Sequence, residues 1–169
     1  MFGFLRRAGE RAAERDMEKH LRFFRVAGPE QAAFLRVAAA QSIAALAPVM
    51  DKHDLDFVFD VLGKGTQLTP DQSVKVSNFN SRLIKIRAKA YEDDNPHSTL
   101  MGSGITAWIL TFRALTYPSL APLAMELWQH IERGQDNYEE TLLDLVEGGV
   151  VEPGAAVRTF APPTCFATA

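Results

Sequence analysis

The hydrophobic positions of this chain recur at helical spacing almost from end to end. Over residues 4–27, Ala8, Ala12, Met17, Leu21 and Phe24 fall near one helical face, with arginine, glutamate and lysine elsewhere. Gly28-Pro29 closes that helix and opens the next, because a first-turn proline gives up an N–H that has no intrahelical partner. An alanine-rich helix follows over 29–46, limited by Pro48. A third is expected over 52–62, where Asp51 can cap the start and Gly63 the end. The sharpest start is "TPDQ": Thr69 at the N-cap, Pro70 in the first turn and Gln72 three residues past the cap make a capping box. It predicts a helix to about Tyr91. Asn95-Pro96 repeats the cap-then-proline signal and opens a helix over 96–117. Ser119 and Pro122 start another, which Gly134 ends. Asp136 and Glu139 form a cap-like pair before the last helix, which stops at Gly148-Gly149.

"VKVSNF" (74–79) comes nearest to strand alternation, but it lies just after a strong helix start. No internal repeat is found. The expected fold is therefore all-α: a single-domain helical bundle of about seven helices over 1–149, around a central apolar helix at 96–117. Residues 150–169 hold prolines and glycines without a period, and read as an extended or disordered C-terminal tail.

The central helix needs its own argument, because residues 98–112 carry no charge over fifteen positions. At 1.5 Å per residue the run covers about 22 Å, short of the roughly 30 Å of a bilayer core. It also holds Ser98, Thr99, Ser103, Thr106 and Thr111, and any extension meets Arg113, Pro118 and Pro122. A membrane span is excluded on these grounds. "GSGITA" (102–107) has the G-x-G-x-x-A spacing of a dinucleotide loop but no strand before it. "GKGT" (63–66) lacks the phosphate-loop spacing and follows a helix, so it reads as a helix end. What remains is a buried helix with three faces. Gly104, Ala107, Thr111 and Ala114 form a small-residue stripe that admits a close neighbour. Ile105, Trp108, Ile109, Phe112 and Leu115 form a bulky one. Thr99, Ser103, Thr106, Arg113 and Tyr117 form a polar one, broken by Leu110. The amphipathic helices at 4–27, 69–91, 119–134 and 136–148 are expected to pack round it.

Composition changes this picture little. The chain has 169 residues, 47% hydrophobic and 23% charged, enough for one core without a staple. A net charge of −3 argues against a general nucleic-acid binder, so no nucleic-acid partner is expected. The one cysteine, Cys165, forms neither an internal disulfide nor a cysteine metal cluster, and reads as an incidental tail thiol in a reducing compartment. The apolar run at 1–5 is too short for a secretory signal, and Glu10 and Glu14 do not suit a transit peptide. A soluble, cytoplasmic protein is expected. Charge is unevenly spread: residues 1–28 carry seven Arg or Lys against four acids, whereas 135–152 carry six acids and no base. The simplest arrangement packs the basic helix at 4–27, or the one at 69–91, near the acidic last helix. The other is a basic face meeting an acidic partner or a membrane surface, helped by Phe2, Phe4 and Leu5.

Candidate chemistry is sparse. Arg113 interrupts an apolar run, and a buried guanidinium must be paired. Glu126 or Asp60 would serve, unless the side chain reaches the surface. Alternatively the polar stripe lines a cleft, where Arg113 holds a ligand carboxylate or phosphate, Tyr117 donates a hydrogen bond, and Thr106 and Trp108 flank them. No metal site is expected; the nearest to one are Glu126 and His130, an i, i+4 pair, with His53 as a distant third. The acids at 51–60 lack the glycine and glutamate of a calcium loop. No nucleophile elbow or catalytic triad is visible, and Asp93-Asp94 and Glu139-Glu140 read as solvated helix ends. The expected role is thus non-catalytic and without a cofactor: binding to a protein partner or to its own copy, through the first helix or the tail. A small-ligand or sensor domain with an anion-recognising pocket beside the 96–117 helix is the alternative. An acid–base or metal enzyme built on His53, His130 and acids is the second alternative.

Overall fold

Helix boundaries in this protein follow local capping chemistry wherever that chemistry is present. The structure, a computed structural model, describes residues 2–46, 53 and 68–153. Helix α1 spans Phe2–Val26, α2 Pro29–Leu46, α3 Pro70–Glu92, α4 Pro96–Thr116, α5 Ala121–Arg133 and α6 Tyr138–Glu147, with a 3-10 turn at Pro118–Leu120 before α5. The described residues are all-α and contain no strand. The expected helix at 52–62 lies outside them except for His53, which is helical and exposed.

The capping box at α3 forms in full. The Gln72 N–H donates to Thr69 Oγ1 (3.3 Å), and the Thr69 N–H donates back to Gln72 Oε1 (2.9 Å). At α4 the Ser98 N–H donates to Asn95 Oδ1 (2.9 Å). The Asp136–Glu139 pair does not cap α6. Asn137 is the N-cap instead, with ψ near 6°, and its side chain makes no capping bond. A side-chain cap needs an extended N-cap residue, which the turn at 134–137 does not provide.

The apolar helix α4 lies at the centre of the fold, and α2 lies beside it. Every residue from Gly104 to Phe112 of α4 is buried, as the uncharged run requires. Both α2 and α3 pack against it along much of their length, and α5 packs there too. Helix α2 is nearly as deep: Ala33, Leu35, Val37, Ala38 and Ala39 are all at most 3% exposed. It is the second core helix, a role that hydrophobic periodicity does not mark, because a deeply buried helix shows no amphipathic stripe. The small-residue stripe works as its spacing suggests. A Cβ added at Gly104 would collide with the backbone carbonyl of Ala38, and one at Gly134 with that of Ala32. Two glycines therefore let α2 lie flush against α4 and the end of α5.

Round this contact sit the largest side chains. Trp108 and Trp128 are fully buried and meet edge to face, with centroids 4.9 Å apart. Each indole N–H has an acceptor: Ser42 Oγ for Trp108 and Thr111 Oγ1 for Trp128, both at 2.9 Å. Helix α1 packs mainly on α5 and buries Ala13, Met17 and Leu21, while Ala8 and Ala12 stay exposed, Ala12 at the rim of a cavity. Its inner face is thus turned by about one residue from the expected Ala8–Ala12 line. Helix α6 packs on α2, where Leu142 joins Val37, Ala38 and Leu100 in a second cluster. Val151 is buried in that cluster, and His97 Nδ1 lies 2.9 Å from the Val150 carbonyl, so the packed body runs past Gly149. The remainder of the expected tail, 154–169, lies outside the described residues.

Gly104→Ala is expected to cost about 2–3 kcal/mol in chemical denaturation, since backbone rather than a movable side chain opposes the new methyl. Gly3→Ala, in open space on α1, is expected to change stability by about 0.5 kcal/mol or less in the favourable direction. Equal effects of the two substitutions would contradict the close helix crossing.

Candidate functional site

A cavity of about 650 Å³ opens between α1, α3 and α4. Its shape follows from residue size. On α1 the lining residues are Gly9, Ala12 and Ala13, too small to fill the gap. On α3, Ser73, Ser77, Asn80 and Arg87 recur at helical spacing and face it as a polar line. The end of α4 contributes Arg113, Thr116 and Tyr117, and Asp16 of α1 closes the wall.

Arg113 is paired across this cavity. Its Nη1 donates to Asp16 Oδ2, and its side chain is 23% exposed. Burial pulls the guanidinium below its ordinary pKa. Arginine stays charged even so, and a carboxylate beside it offsets part of that burial. Of the two expected partners, one is placed elsewhere. Glu126 is held instead by Arg25, in a two-pronged contact of 2.5 and 2.8 Å that ties the end of α1 to α5. That contact holds the Glu126 carboxyl below its ordinary range. Asp60 lies outside the described residues.

The other expected ligand residues divide. Tyr117 lines the cavity, its hydroxyl lying over Gly9. Thr106 is buried behind the wall, where its Oγ1 donates to the Gly102 carbonyl (2.8 Å) and accepts from Arg87 (3.4 Å). Trp108 faces α2 and belongs to the core. Two cavity residues were not singled out by the sequence. Arg87 has no carboxylate within ion-pair distance among the described residues. Asn80 Oδ1 is shielded from solvent and has no hydrogen-bond partner. Arg36 is likewise a lone cation in an apolar run. It is 3% exposed, pairs with Glu132 at 3.3 Å and lies over the Tyr138 ring.

The weak metal candidates do not assemble. His130 Nε2 lies 3.7 Å from Glu126 Oε1, but Arg25 and Arg133 crowd the same place, and His53 is exposed elsewhere. Among the described residues no group of three His, Cys, Asp or Glu side chains could hold a metal ion. Nor is any helix among them long and apolar enough to cross a membrane.

The surface carries a second feature. Phe4, Ala8, Arg11, Arg15, Lys19, Arg22 and Val26 recur every three or four residues along α1, and all are exposed. On α6, Glu139, Glu140, Leu143, Asp144 and Glu147 likewise share an exposed face. None of these charges makes an ion pair among the described residues. The expected mutual offset does not arise by packing, because the main neighbour of α6 is α2 and not α1 or α3. No protein family, curated protein or solved structure matches this chain.

Arg113→Met and Asp16→Asn are each expected to destabilise the fold. Their double-mutant cycle should give a coupling of about 0.5–1 kcal/mol, discounted for partial exposure; purely additive effects would show that the two do not pair. The pH dependence has a definite sign. Burial, then Arg87 and Lys19, lower the His20 pKa; burial and Arg133 lower that of His130 against the opposing pull of Glu126. The fold thus favours both neutral imidazoles. Their contribution is complete above the ordinary value of 6.5 and is lost as pH falls below it through the lowered folded values. Melting temperature should drop between about pH 7 and pH 5, and a His20→Gln, His130→Gln variant should flatten that slope in scanning calorimetry.

Proposed function

We propose that this protein is an interaction module that associates with its own copy, the cationic face of α1 docking on the acidic face of α6 from a second molecule. One observation carries the reading: two helix faces of opposite charge, each without ion pairs of its own among the described residues, stand exposed on the same chain. Their dimensions agree. At 1.5 Å per residue the stretch from Arg11 to Arg22 is about 16 Å long and that from Glu139 to Glu147 about 12 Å. Apolar groups accompany both, with Leu143 in the acidic face and Phe4 and Val26 at the ends of the basic one, exposed by 60%, 76% and 85%. Single exposed ion pairs contribute little, so the affinity rests on several pairs acting together with these apolar contacts. Charge complementarity of this kind mainly sets partner choice and encounter rate. A face on one side of the molecule that fits a different face elsewhere gives a heterologous contact, which closes into a ring or extends.

Sedimentation analysis tests the reading. In about 50 mM salt the protein should sediment above its monomer mass of 18.7 kDa, and in about 500 mM salt as the monomer, because screening shortens the reach of exposed charges. Arg11→Glu with Arg15→Glu should abolish association, as should Glu140→Lys with Asp144→Lys. Mixing the two reversed variants should restore it. A monomer at low salt would overturn self-association, and binding of that monomer to phosphatidylserine vesicles would assign the α1 face to a membrane surface instead.

A further inference from the structure

We infer that the cavity between α1, α3 and α4 is a binding site for a small, elongated, hydroxylated organic anion, with its phosphate or carboxylate group at Arg87 and a hydroxyl or amine hydrogen donated to Asn80 Oδ1. The inference is independent of self-association. The cavity is lined by Gly9, Ala13 and Asp16 of α1, whereas the cationic face runs through Arg11, Arg15 and Lys19 on another side of that helix.

Charge selects the ligand class. Asp16 is the one acid among the described lining residues, and Arg113 already engages it. Arg87 is left as a half-buried guanidinium that donates to the Thr106 hydroxyl, with no carboxylate beside it among the described residues. The lining therefore carries a net positive charge, in a recess where water screens it less than at the open surface. An anion is favoured there and a cation is not. A guanidinium suits either a carboxylate or a phosphate, each of which can accept two parallel hydrogen bonds.

Asn80 supplies the second requirement. Its Oδ1 accepts nothing although it is hidden from solvent, an arrangement that native structures rarely leave uncompensated. A turn of the Asn80 amide toward the cavity would let a ligand hydrogen complete it. Asn80 and Arg87 are two turns apart on α3, about 10 Å along the axis. The ligand must therefore separate its donor from its anionic group by roughly the length of a sugar phosphate. Ser73, Ser77 and Thr116 offer hydroxyls along the way. The volume also fits, since small-molecule sites run about 300–1,000 Å³.

Amide-resolved NMR titration tests the site on the full chain. The probes are glucose 6-phosphate, gluconate, inorganic phosphate and neutral glucose. Saturable shifts at Ser77, Asn80, Arg87 and Thr116 are expected with glucose 6-phosphate, with gluconate, or with both; which of them binds tells phosphate from carboxylate. Arg87→Met should weaken that binding about tenfold or more. Asn80→Leu should weaken the sugar anion several-fold while leaving inorganic phosphate unchanged, because phosphate alone cannot span to that position. The inference is overturned if neither sugar anion gives saturable shifts, if glucose binds as tightly as its phosphate, or if Arg87→Met changes nothing. Shifts confined to Arg11, Arg15 and Lys19 would likewise reject it, as nonspecific attraction to the α1 surface.

Discussion

The close approach of α2 to α4 at Gly104 is the constraint on which the other contacts depend. With the Ala38 backbone lying where a side chain would otherwise be, α2 comes near enough for the Trp108 indole to reach Ser42. That bond fixes the ring, and the fixed ring receives Trp128 edge-on. Trp128 in turn satisfies its N–H at Thr111, on the small-residue stripe of α4. A stripe chosen for size thus also supplies the hydroxyl that lets a second indole be buried without an orphaned donor. On the far side of α2, the same placement seats α6 through Leu142 and stacks Arg36 on Tyr138.

Helix α1 is attached by a different principle. Its apolar anchors are Ala13, Met17 and Leu21, and polar links hold it on either side of them. Glu10 accepts from Ser119 near the N-terminal end, Asp16 from Arg113 in the middle, and Glu126 receives Arg25 at the C-terminal end. Such links keep the helix in register without demanding that it fill space. The small residues between them are what leave the cavity open. The basic outer face is a consequence of the same division, because the inward positions are apolar or acidic and the cations are left to point away.

The helix order was legible because capping chemistry is local. Thr69-Pro70 and Asn95-Pro96 announce their helices within four residues, and both caps form as written. Where a cap depends on the turn before it, as at Asp136, the sequence alone misleads. The burial of 104–112 was legible from missing charge, but the partner of Arg113 was not: Asp16 is 97 residues away, and periodicity carries no information about which helix a face meets. The rule that flagged Arg113 applies equally to Arg36, and the alanine-rich surroundings hid it. Of the cavity residues, Tyr117 and Arg113 stood out by following an apolar run. Arg87 did not, because it sits among other basic residues of α3, and only the packing distinguishes it from Lys85 or Lys89.

The tryptophan pair has an optical consequence. These are the chain's two tryptophans, and both are sealed in the core against each other. Their emission therefore comes from a dry environment, and the two rings are held in one fixed, asymmetric arrangement, the condition for a near-ultraviolet dichroic signal that is lost when the packing is lost. Neither ring touches the outer face of α1 or the cavity. Light from this protein reports whether α2 and α4 are together, and is dark to whatever binds at its surface.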